Sequence, residues 1–348
     1  MNRLLVICSL CAVSFFQAAA FADQRDGRFD IYFIDVEGGA ATLMITPAGE
    51  SLLIDSGNPD IGGRDRDRIL KVLRDVAKQD KLDHAAVTHW HSDHYGNHAA
   101  LASQIKIRNF WDRGIPEKLA EDKNFEKRIV DYRAASQNKS NTLKAGDTFS
   151  LNSDKTPLTI KIVTASREVI PNVGEPNPFA KDIKPPEDDP TDNAASVSFL
   201  TTFGKFSFLC CGDLTHKIEA KLMTPNNPLG KVELFMVTHH GLGSSNHPAL
   251  VLAIDPRVCV MCNGPTKGCE PSTNATLRQI KSLQAIYQLH RNVKLKADEQ
   301  TPAEFIANNV DDTASCQGTF VKASVAPGGE SYTVQIGLDG KPRTFQTR

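Results

Sequence analysis

A short run of histidines and one aspartate limits the folds open to this chain. His89-Trp-His91-Ser-Asp93-His94 follows an apolar run, Leu82 to Thr88, that predicts a strand. The chain has ten histidines, and four of them lie between His89 and His98. A strand that ends here, followed by a tight turn, directs three imidazoles and a carboxylate to one point, and these groups bind zinc-like cations. The run therefore predicts a metal centre, and the alternative is a solvated histidine-rich turn.

The N-terminus has the pattern of an export signal. Met1-Asn-Arg3 is basic, Leu4 to Ala20 carries no charge, and Ala20-Phe-Ala22 is a small-residue cleavage site. These features predict a secretory signal peptide over residues 1–22, with an uncleaved anchor as the alternative. No later segment has the roughly 20 apolar residues that span a bilayer. We therefore expect a secreted or periplasmic protein of one domain, residues 23–348, without a transmembrane anchor after cleavage.

The charge balance limits the classes of partner that the chain can bind, and the cysteines bear on disulfide formation. The chain has 40 Lys and Arg against 41 Asp and Glu, without a long run of either sign. A nucleic-acid partner usually requires a basic face, so a stable nucleic-acid partner is not expected. A small-molecule or envelope-derived substrate is expected instead. In an oxidising compartment the mature cysteines favour disulfides, here Cys259 or Cys262 with Cys269 or Cys316.

Periodicity predicts alternating strands and helices in two halves. The predicted strands are Phe29 to Val36, Ala41 to Thr46, Ser51 to Ile54, Leu82 to Thr88, Ile107 to Asp112, Leu158 to Thr164, Ser196 to Phe203, Lys205 to Cys210, Glu233 to Thr238, Val258 to Met261, Thr319 to Ala323 and Ser331 to Ile336. The predicted helices are Arg66 to Lys78, Asn97 to Gln104, Glu117 to Ala135, Leu214 to Met223, Pro248 to Ile254 and Thr273 to Leu289. Two β-rich halves backed by helices predict an α/β fold, a four-layer αβ/βα sandwich.

Between the halves lies a Pro-rich insertion, residues 166–190. It is too long for a plain connection, so it is either a surface excursion or a lid beside the site. The sequence leaves both open.

Four motifs together resemble the metallo-β-lactamase superfamily over residues 31–264. The His-x-His-x-Asp-His run has the spacing of its signature loop. The other three are Ile54-Asp55-Ser56-Gly57, Cys211-Gly212-Asp213 and Thr238-His239-His240-Gly241. Within the superfamily the chain is similar to the ComEC-like hydrolase domain and its secreted relatives, through Phe33-Ile-Asp35-Val, Asn193-Ala-Ala-Ser196 and the serines Ser244 and Ser245. It departs from them at Glu37-Gly-Gly-Ala40 and lacks their multi-span channel.

The resemblance implies two divalent metal ions, zinc first and manganese as the alternative. It assigns His89 and His91 to the first metal, and Asp93, His94 and one of His239 and His240 to the second. Asp213 bridges the two ions, and Asp55 supports the loop from behind. The sequence has no histidine between His98 and His216 for the third ligand of the first metal. Asp192 or Asn193 is expected there, and an oxygen ligand makes manganese credible.

The implied activity is metal-dependent hydrolysis. A water shared by two cations has its pKa lowered toward ~7 and attacks the substrate, and Asp93 accepts the proton. His240 is favoured as the metal ligand, which leaves His239 to donate a hydrogen bond to the substrate. Ser244 and Ser245 are candidates for contact with an anionic oxygen, with a plain helix cap as the alternative. A phosphoester, in particular a phosphodiester, is the expected substrate. The alternatives are amide, thioester or lactone hydrolysis and a non-catalytic metal-binding scaffold.

Overall fold

The protein has a mixed α/β fold with two large sheets. The structure, a computed structural model, describes residues 26–59, 62–181, 183, 188–311 and 313–348. The predicted signal peptide, residues 1–22, lies outside them. The strands are β1 (Phe29–Phe33), β2 (Thr42–Ile45), β3 (Ser51–Ile54), β4 (Lys81–Ala86), β5 (Lys106–Asp112), β6 (Asn141–Thr142), β7 (Thr148–Leu151), β8 (Leu158–Ala165), β9 (Glu168–Val169), β10 (Glu175–Pro176), β11 (Ser198–Phe203), β12 (Phe206–Cys210), β13 (Asn226–Asn227), β14 (Leu234–Met236), β15 (Val258–Met261), β16 (Ala285–His290), β17 (Ile306–Asn308), β18 (Val321–Val325), β19 (Ser331–Ile336) and β20 (Arg343–Gln346).

The helices are short. They are α1 (Arg64–Lys71), α2 (Ser92–Tyr95), α3 (His98–Ala102), α4 (Phe125–Ala135), α5 (His216–Met223), α6 (Pro248–Ile254) and α7 (Pro271–Leu277). A π-helical turn, Val72–Val76, continues α1. In the part of the chain that the structure describes, no helix has both the length and the apolar character needed to cross a bilayer.

The first sheet contains strands from both the N-terminal and the C-terminal part of the chain. Its strand order is β20-β19-β18-β1-β2-β3-β4-β5-β6, so the C-terminal hairpins extend the N-terminal half. The second sheet follows the order β17-β16-β15-β14-β12-β11-β8-β7, with β9 paired to β8. In the first sheet β3 and β4 are parallel neighbours, and in the second β12 and β14 are. The carboxyl ends of each parallel pair therefore lie side by side.

Side-chain alternation along the strands builds the layers. Phe29, Ile31 and Phe33 of β1 point into a cluster shared by both sheets, whereas Tyr32 points outward and packs with Ile69 of α1. In the second sheet β15 alternates in the same way, and its outward residues pack with α6. Because successive strand residues face opposite sides, each sheet buries one face against the other sheet and one against helices. The predicted sandwich is confirmed.

Two predicted helices are wrong in extent. Residues Thr273 to Leu289 were expected to form one helix, but α7 ends at Leu277 and β16 follows. The β-branched and aromatic residues Ile286 and Tyr287 suit a strand, and β16 lies parallel to β15 inside the sheet. The other helix, expected from Glu117, begins only at Phe125.

The expected disulfides are also wrong. All six cysteines between Cys210 and Cys316 are free thiols. Cys259 points into the helix-covered face of the second sheet, and Cys262 points into the inter-sheet cluster. The Cys269 sulfur accepts a hydrogen bond from the Asn274 side-chain amide, and the Cys316 sulfur contacts Asp35 and His290 instead of a second thiol.

The Pro-rich insertion packs partly against the outer helical layer. The side-chain amide of the buried Asn177 donates to the carbonyls of Met223, at the end of α5, and Ala249, in α6. β10 pairs with β13, which follows α5. These contacts favour a surface excursion over a lid, although residues 182 and 184–187 of the insertion lie outside the described part of the chain.

Candidate metal centre

Asp55 positions the residues of the histidine loop. It follows β3 with a backbone φ of 60°, a left-handed conformation that aspartate tolerates better than most residues. Its buried carboxylate accepts hydrogen bonds from the Thr88 amide and hydroxyl, both at 2.8 Å. It also lies 2.7 Å from Nδ1 of His94. Because β3 and β4 are parallel neighbours, the Asp55 turn supports the histidine loop from below.

The histidine loop is held by backbone contacts to the first sheet. After β4, residues 87–91 lead into α2, which carries Asp93 and His94. The Ala40 amide donates to the Asp93 carbonyl at 3.1 Å, and the Ser56 amide donates to the His94 carbonyl at 2.6 Å. Trp90 is fully buried. The loop is therefore fixed by neighbours on both sides.

The second sheet supplies ligands from the ends of β12 and β14. Gly212 adopts a φ of 55°, and a Cβ there would lie 2.7 Å from Cβ of Thr88. This glycine lets Asp213 approach the histidine loop. After β14, His239 and His240 both adopt left-handed backbone angles, with φ of 55° and 54°. Two consecutive non-glycine residues in this region mark a strained turn of the kind that clusters at functional sites.

Asp213 lies at the centre of four imidazoles. The distances from its Oδ2 to the Nε2 atoms are 3.9 Å for His89, 3.2 Å for His94, 3.4 Å for His239 and 3.3 Å for His240. Asp93 lies on the other side, with its Oδ2 at 3.7 Å from His94 and 3.5 Å from His240. One donor atom from each of Asp93, His94, Asp213 and His240 falls within 4.8 Å of the others.

These residues fit a metal because their inward nitrogens have no hydrogen-bond partner. Nε2 of His89, His94 and His240 is buried and unpartnered, although each lies within 4 Å of the Asp213 carboxylate. Buried polar atoms are nearly always hydrogen-bonded. Three such atoms around two carboxylates are the arrangement expected of ligands that share a cation.

The outward nitrogens are held by other groups. Nδ1 of His94 meets Asp55, Nδ1 of His240 lies 3.0 Å from the Cys262 carbonyl, Nδ1 of His89 lies 3.1 Å from the Thr88 hydroxyl, and Nδ1 of His239 lies 3.1 Å from the Ser245 hydroxyl. Metal-binding histidines usually have such partners, which fix the ring orientation. Each ring therefore presents Nε2 to the centre.

Comparison with known proteins agrees with this geometry. The family model described as the metallo-β-lactamase superfamily matches residues 35–217, more than half of the chain. The chain belongs to the metallo-β-lactamase superfamily. Among curated proteins, no match was found.

Solved structures of the same fold are distant in sequence. The metallo-β-lactamase fold protein YhfI from Bacillus subtilis is 11% identical, with a TM-score of 0.44, over 74% of this chain and 96% of that one. A protein from Parabacteroides distasonis described as a metal-dependent hydrolase is 14% identical, with a TM-score of 0.39, over 74% and 93%. CmlA, a diiron β-hydroxylase from Streptomyces venezuelae, is 14% identical, with a TM-score of 0.40, over 73% and 47%.

The ligands predicted for the first metal are less closely grouped. His91 is partly exposed, and its Nε2 lies 3.0 Å from Oε1 of Glu121. The Asp192 carboxylate accepts a hydrogen bond from the Trp90 amide and pairs with Arg113. Asp192 thus has protein partners of its own, and Glu121 is the acidic group beside His91. Glu121 could not be predicted from the sequence, because it lies in a charged segment expected to be a surface helix.

Asn193 lies closer to the centre than Asp192 does. Its Nδ2 is 3.4 Å from Nε2 of His239, and its Oδ1 is buried without a partner. An unpartnered amide oxygen is a suitable hard ligand. Of the two residues proposed to replace the third histidine, Asn193 is the one whose side chain contacts a histidine of the centre.

The hydroxyls of Ser244 and Ser245 contact the His239 ring. Their hydroxyls lie 3.2 Å and 3.1 Å from its Nδ1. The expected helix cap is a different residue, because the His247 side chain accepts a hydrogen bond from the Ala249 amide at the start of α6. The two serines therefore orient the His239 ring.

Lys267 is the main group that the sequence analysis missed. Its Nζ lies 2.5 Å from Oδ2 of Asp93, although the two residues are 174 positions apart. It lies on the loop between β15 and α7, where the Gly264 amide donates to the Lys267 carbonyl at 2.9 Å. About 39% of its side chain is exposed. The mouth of the site therefore carries a cation.

Both central carboxylates are ionised at neutral pH. Burial raises the pKa of Asp213, but His240, His94 and His239 outweigh burial and hold this pKa well below its usual range. Burial raises the pKa of Asp93, and His94, His240 and Lys267 bring it well below its usual range. Two buried carboxylates that stay charged attract divalent cations.

Glu219, behind the site, predicts a pH-dependent stability. Its carboxylate accepts the Asn246 and His247 amides at 3.0 and 2.7 Å, yet burial raises its pKa from 4.5 to about 8. The folded state thus keeps a proton that the unfolded state releases. The ionisation of Glu219 therefore does not affect the free energy of unfolding below about pH 4.5, and it lowers this free energy progressively up to about pH 8. Relative to Glu219→Gln, the wild-type free energy of unfolding should fall by about 2 kcal/mol between pH 6 and pH 8.5.

Urea unfolding at the two pH values measures this difference. Glu126→Gln on the exposed face of α4 is the control and should keep the wild-type dependence on pH. Equal pH dependence in the wild type and in Glu219→Gln would show that Glu219 does not titrate in this range.

Proposed function

We propose that this protein is an exported, dinuclear metal-dependent phosphoesterase that hydrolyses a phosphodiester. The observation that carries the proposal is Lys267. Its ammonium group lies 2.5 Å from Asp93 at the mouth of a centre built from unpartnered imidazoles. A cation there suits a substrate that brings negative charge to the metals. Phosphodiesters carry this charge, whereas neutral esters, amides and lactones do not.

The metals fit the residues present. Asp93, His94 and His240 would hold one ion, and His89 and His91 the other, with Asn193 or Glu121 as the added oxygen ligand. Asp213, which faces both sets, would bridge them. When bound, two divalent ions lower the pKa of water and stabilise charge on the substrate oxygens. We propose zinc as the metal, with manganese as the alternative because the added ligand is oxygen.

The chain's own groups bind the substrate and move the proton. Lys267 is proposed to release Asp93 and contact a non-bridging phosphate oxygen. The Asp93 carboxylate then loses its ion pair with Lys267, becomes a stronger base and accepts the proton that water loses. His239 is held by Ser244 and Ser245, and burial lowers its pKa to about 4. It is therefore neutral at pH 7, and we propose that it donates a hydrogen bond to the substrate.

The location and the substrate source rest on the sequence. The apolar N-terminus and the likeness to the ComEC-like hydrolase domain and its secreted relatives support export to the periplasm or the medium. An envelope-derived or other small extracellular phosphodiester is the substrate class that fits. We do not propose a nucleic-acid partner, because the chain has nearly balanced charge.

A panel of nitrophenyl substrates tests the reaction class. The mature protein, loaded with zinc or with manganese, is assayed on bis(nitrophenyl) phosphate, nitrophenyl phosphate, nitrophenyl acetate, a lactone and a chromogenic cephalosporin. We expect the highest kcat/KM on the phosphodiester. Faster turnover of the acetate, the lactone or the cephalosporin would assign the site to carboxylic substrates. Full metal loading without turnover of any substrate would favour a metal-binding scaffold.

Lys267→Met tests the basis of the proposal. Loss of a charged contact of about 1.5–3 kcal/mol corresponds to a roughly 10- to 150-fold lower kcat/KM on the phosphodiester, with little change on nitrophenyl acetate. Lys294→Met is the matched control. The Lys294 Nζ donates to the Thr266 carbonyl of the same loop at 3.2 Å, and Lys294 has no contact with Asp93 in the described structure. An equal loss on both substrates in Lys267→Met would show that Lys267 holds the loop rather than the anion.

A further inference from the structure

A second group of metal-ligating side chains lies outside the centre described above. It consists of Asp35, Glu37, His290 and Cys316, and we call it the second cluster. One donor atom from each of these residues falls within 4.8 Å of the others. The His290 and Asp35 side chains are fully buried. The first centre uses none of these residues.

The second cluster is assembled from three distant parts of the chain. Asp35 and Glu37 follow β1 in the first sheet, His290 ends β16 in the second sheet, and Cys316 precedes β18. Arg291 follows His290 directly, and its amide donates to the Asn308 carbonyl at 3.2 Å. A cation held by these ligands would connect the two sheets at one edge.

The two distances to the Cys316 sulfur agree with tetrahedral coordination of one ion, whereas the distance from His290 to Asp35 is that of a hydrogen bond. With zinc bonds of about 2.0–2.1 Å to nitrogen or oxygen and about 2.3 Å to sulfur, the ligands lie about 3.3 Å apart, or about 3.6 Å to a thiolate. Nε2 of His290 is 2.8 Å from Oδ1 of Asp35. Sγ of Cys316 is 3.5 Å from Oδ2 of Asp35 and 3.8 Å from Nε2 of His290. These three donors thus surround one point.

Arg68 fixes the cluster from one side. Its guanidinium contacts Oδ2 of Asp35 and Oε1 of Glu37, both at 2.9 Å, and donates to the Cys316 carbonyl at 3.0 Å. It therefore orients three of the four residues, and Arg64 contacts the other Glu37 oxygen, Oε2, at 2.7 Å. A cation bound here would replace the contact between His290 Nε2 and Asp35. Such outer contacts are typical of metal ligands.

We propose that the second cluster binds a single zinc ion, with His290 Nε2, Cys316 Sγ and the carboxylates of Asp35 and Glu37 as ligands. The mixture of sulfur, nitrogen and oxygen donors is typical of zinc. The ion joins the loop after β1 to the end of β16. That loop continues to Ala40, whose amide donates to the Asp93 carbonyl.

Cobalt substitution reports on this site separately. The candidate ligands of the first centre are imidazoles, carboxylates and an amide, so a thiolate-to-cobalt charge-transfer band would come from Cys316 alone. Titration of the metal-free mature protein with Co²⁺ should develop this band to about one equivalent. The band should vanish in Cys316→Ser and in His290→Gln. Cys269→Ser, which removes a buried thiol outside the cluster, should keep it.

Two further measurements support or overturn the proposal. Zinc content should fall from about three to about two ions per chain in Cys316→Ser, with phosphodiester hydrolysis largely retained. In the unmodified protein, zinc should protect Cys316 from alkylation, as mapped by mass spectrometry, which does not depend on any variant folding. Absence of the band in the unmodified protein, or equal alkylation with and without zinc, would show that Arg68, Asp35 and a protonated His290 form a metal-free network. If the unmodified protein shows the thiolate-to-cobalt band but does not hydrolyse phosphodiesters, the proposed function is contradicted and the second cluster is not.

Discussion

Asp213→Asn is expected to lower phosphodiester hydrolysis by roughly 10³-fold or more and to reduce metal binding. The Asp213 carboxylate lies within 3.9 Å of the inward nitrogens of four histidines. Asparagine keeps the shape but removes the charge between the two proposed ions. Metal content after desalting and kcat/KM in metal-supplemented buffer measure the two losses.

A surface carboxylate provides the control for this change. Asp147 accepts a hydrogen bond from the Lys144 amide in an exposed turn, and Asp147→Asn should keep wild-type metal content and activity. Circular dichroism of both variants should match the wild type. Near-normal activity in a folded Asp213→Asn protein would contradict the central role of this carboxylate, and with it the dinuclear assignment.

Gly268→Ala is expected to destabilise the protein by about 4 kcal/mol, close to the largest effects of single substitutions. Gly268 has a φ of 78°, and a Cβ there would lie 2.0 Å from the His240 carbonyl oxygen. The same oxygen accepts a hydrogen bond from the Cys269 amide at 3.0 Å. The loop that carries Lys267 must therefore move away from His240. Thermal unfolding should show a Tm lower by roughly 5–8 °C.

Gly230→Ala separates the steric clash from backbone strain. Gly230 has a similar φ of 69°, but no atom lies within 4 Å of the position its Cβ would take. This substitution carries only the left-handed penalty of about 1–2 kcal/mol. If Gly268→Ala and Gly230→Ala lower Tm equally, the close approach of the Lys267 loop to His240 does not contribute to the destabilisation.

The fold was predictable where side-chain periodicity is strong. The strands β3 and β15 and the helix α6 lie at the residues that their patterns predict. The helix expected over Thr273 to Leu289 failed because the apolar residues of α7, of the turn after it and of the buried strand β16 together imitate helical spacing. Periodicity does not separate the two when the strand is covered on both faces, as β16 is.

The candidate site was predictable where its residues lie at strand ends. His89, Asp213 and His240 each follow a strand within a few positions, and motif spacing identifies them. Asp192 or Asn193 was expected to bind metal, and in the structure Arg113 and the Trp90 amide contact the Asp192 carboxylate. No local pattern shows this, because Arg113 and Asp192 are 79 residues apart.

By itself, the sequence determined the sandwich, the ionisable groups at the strand ends and the family to which the chain belongs, since these depend on periodicity and on short motifs. Only the tertiary structure decided that Lys267 faces Asp93, that Glu121 lies beside His91 and that Cys316 meets His290 and Asp35. These groups lie on loops and in segments without a regular pattern. Their positions are set by how the two sheets pack, and that information is distributed over the whole chain.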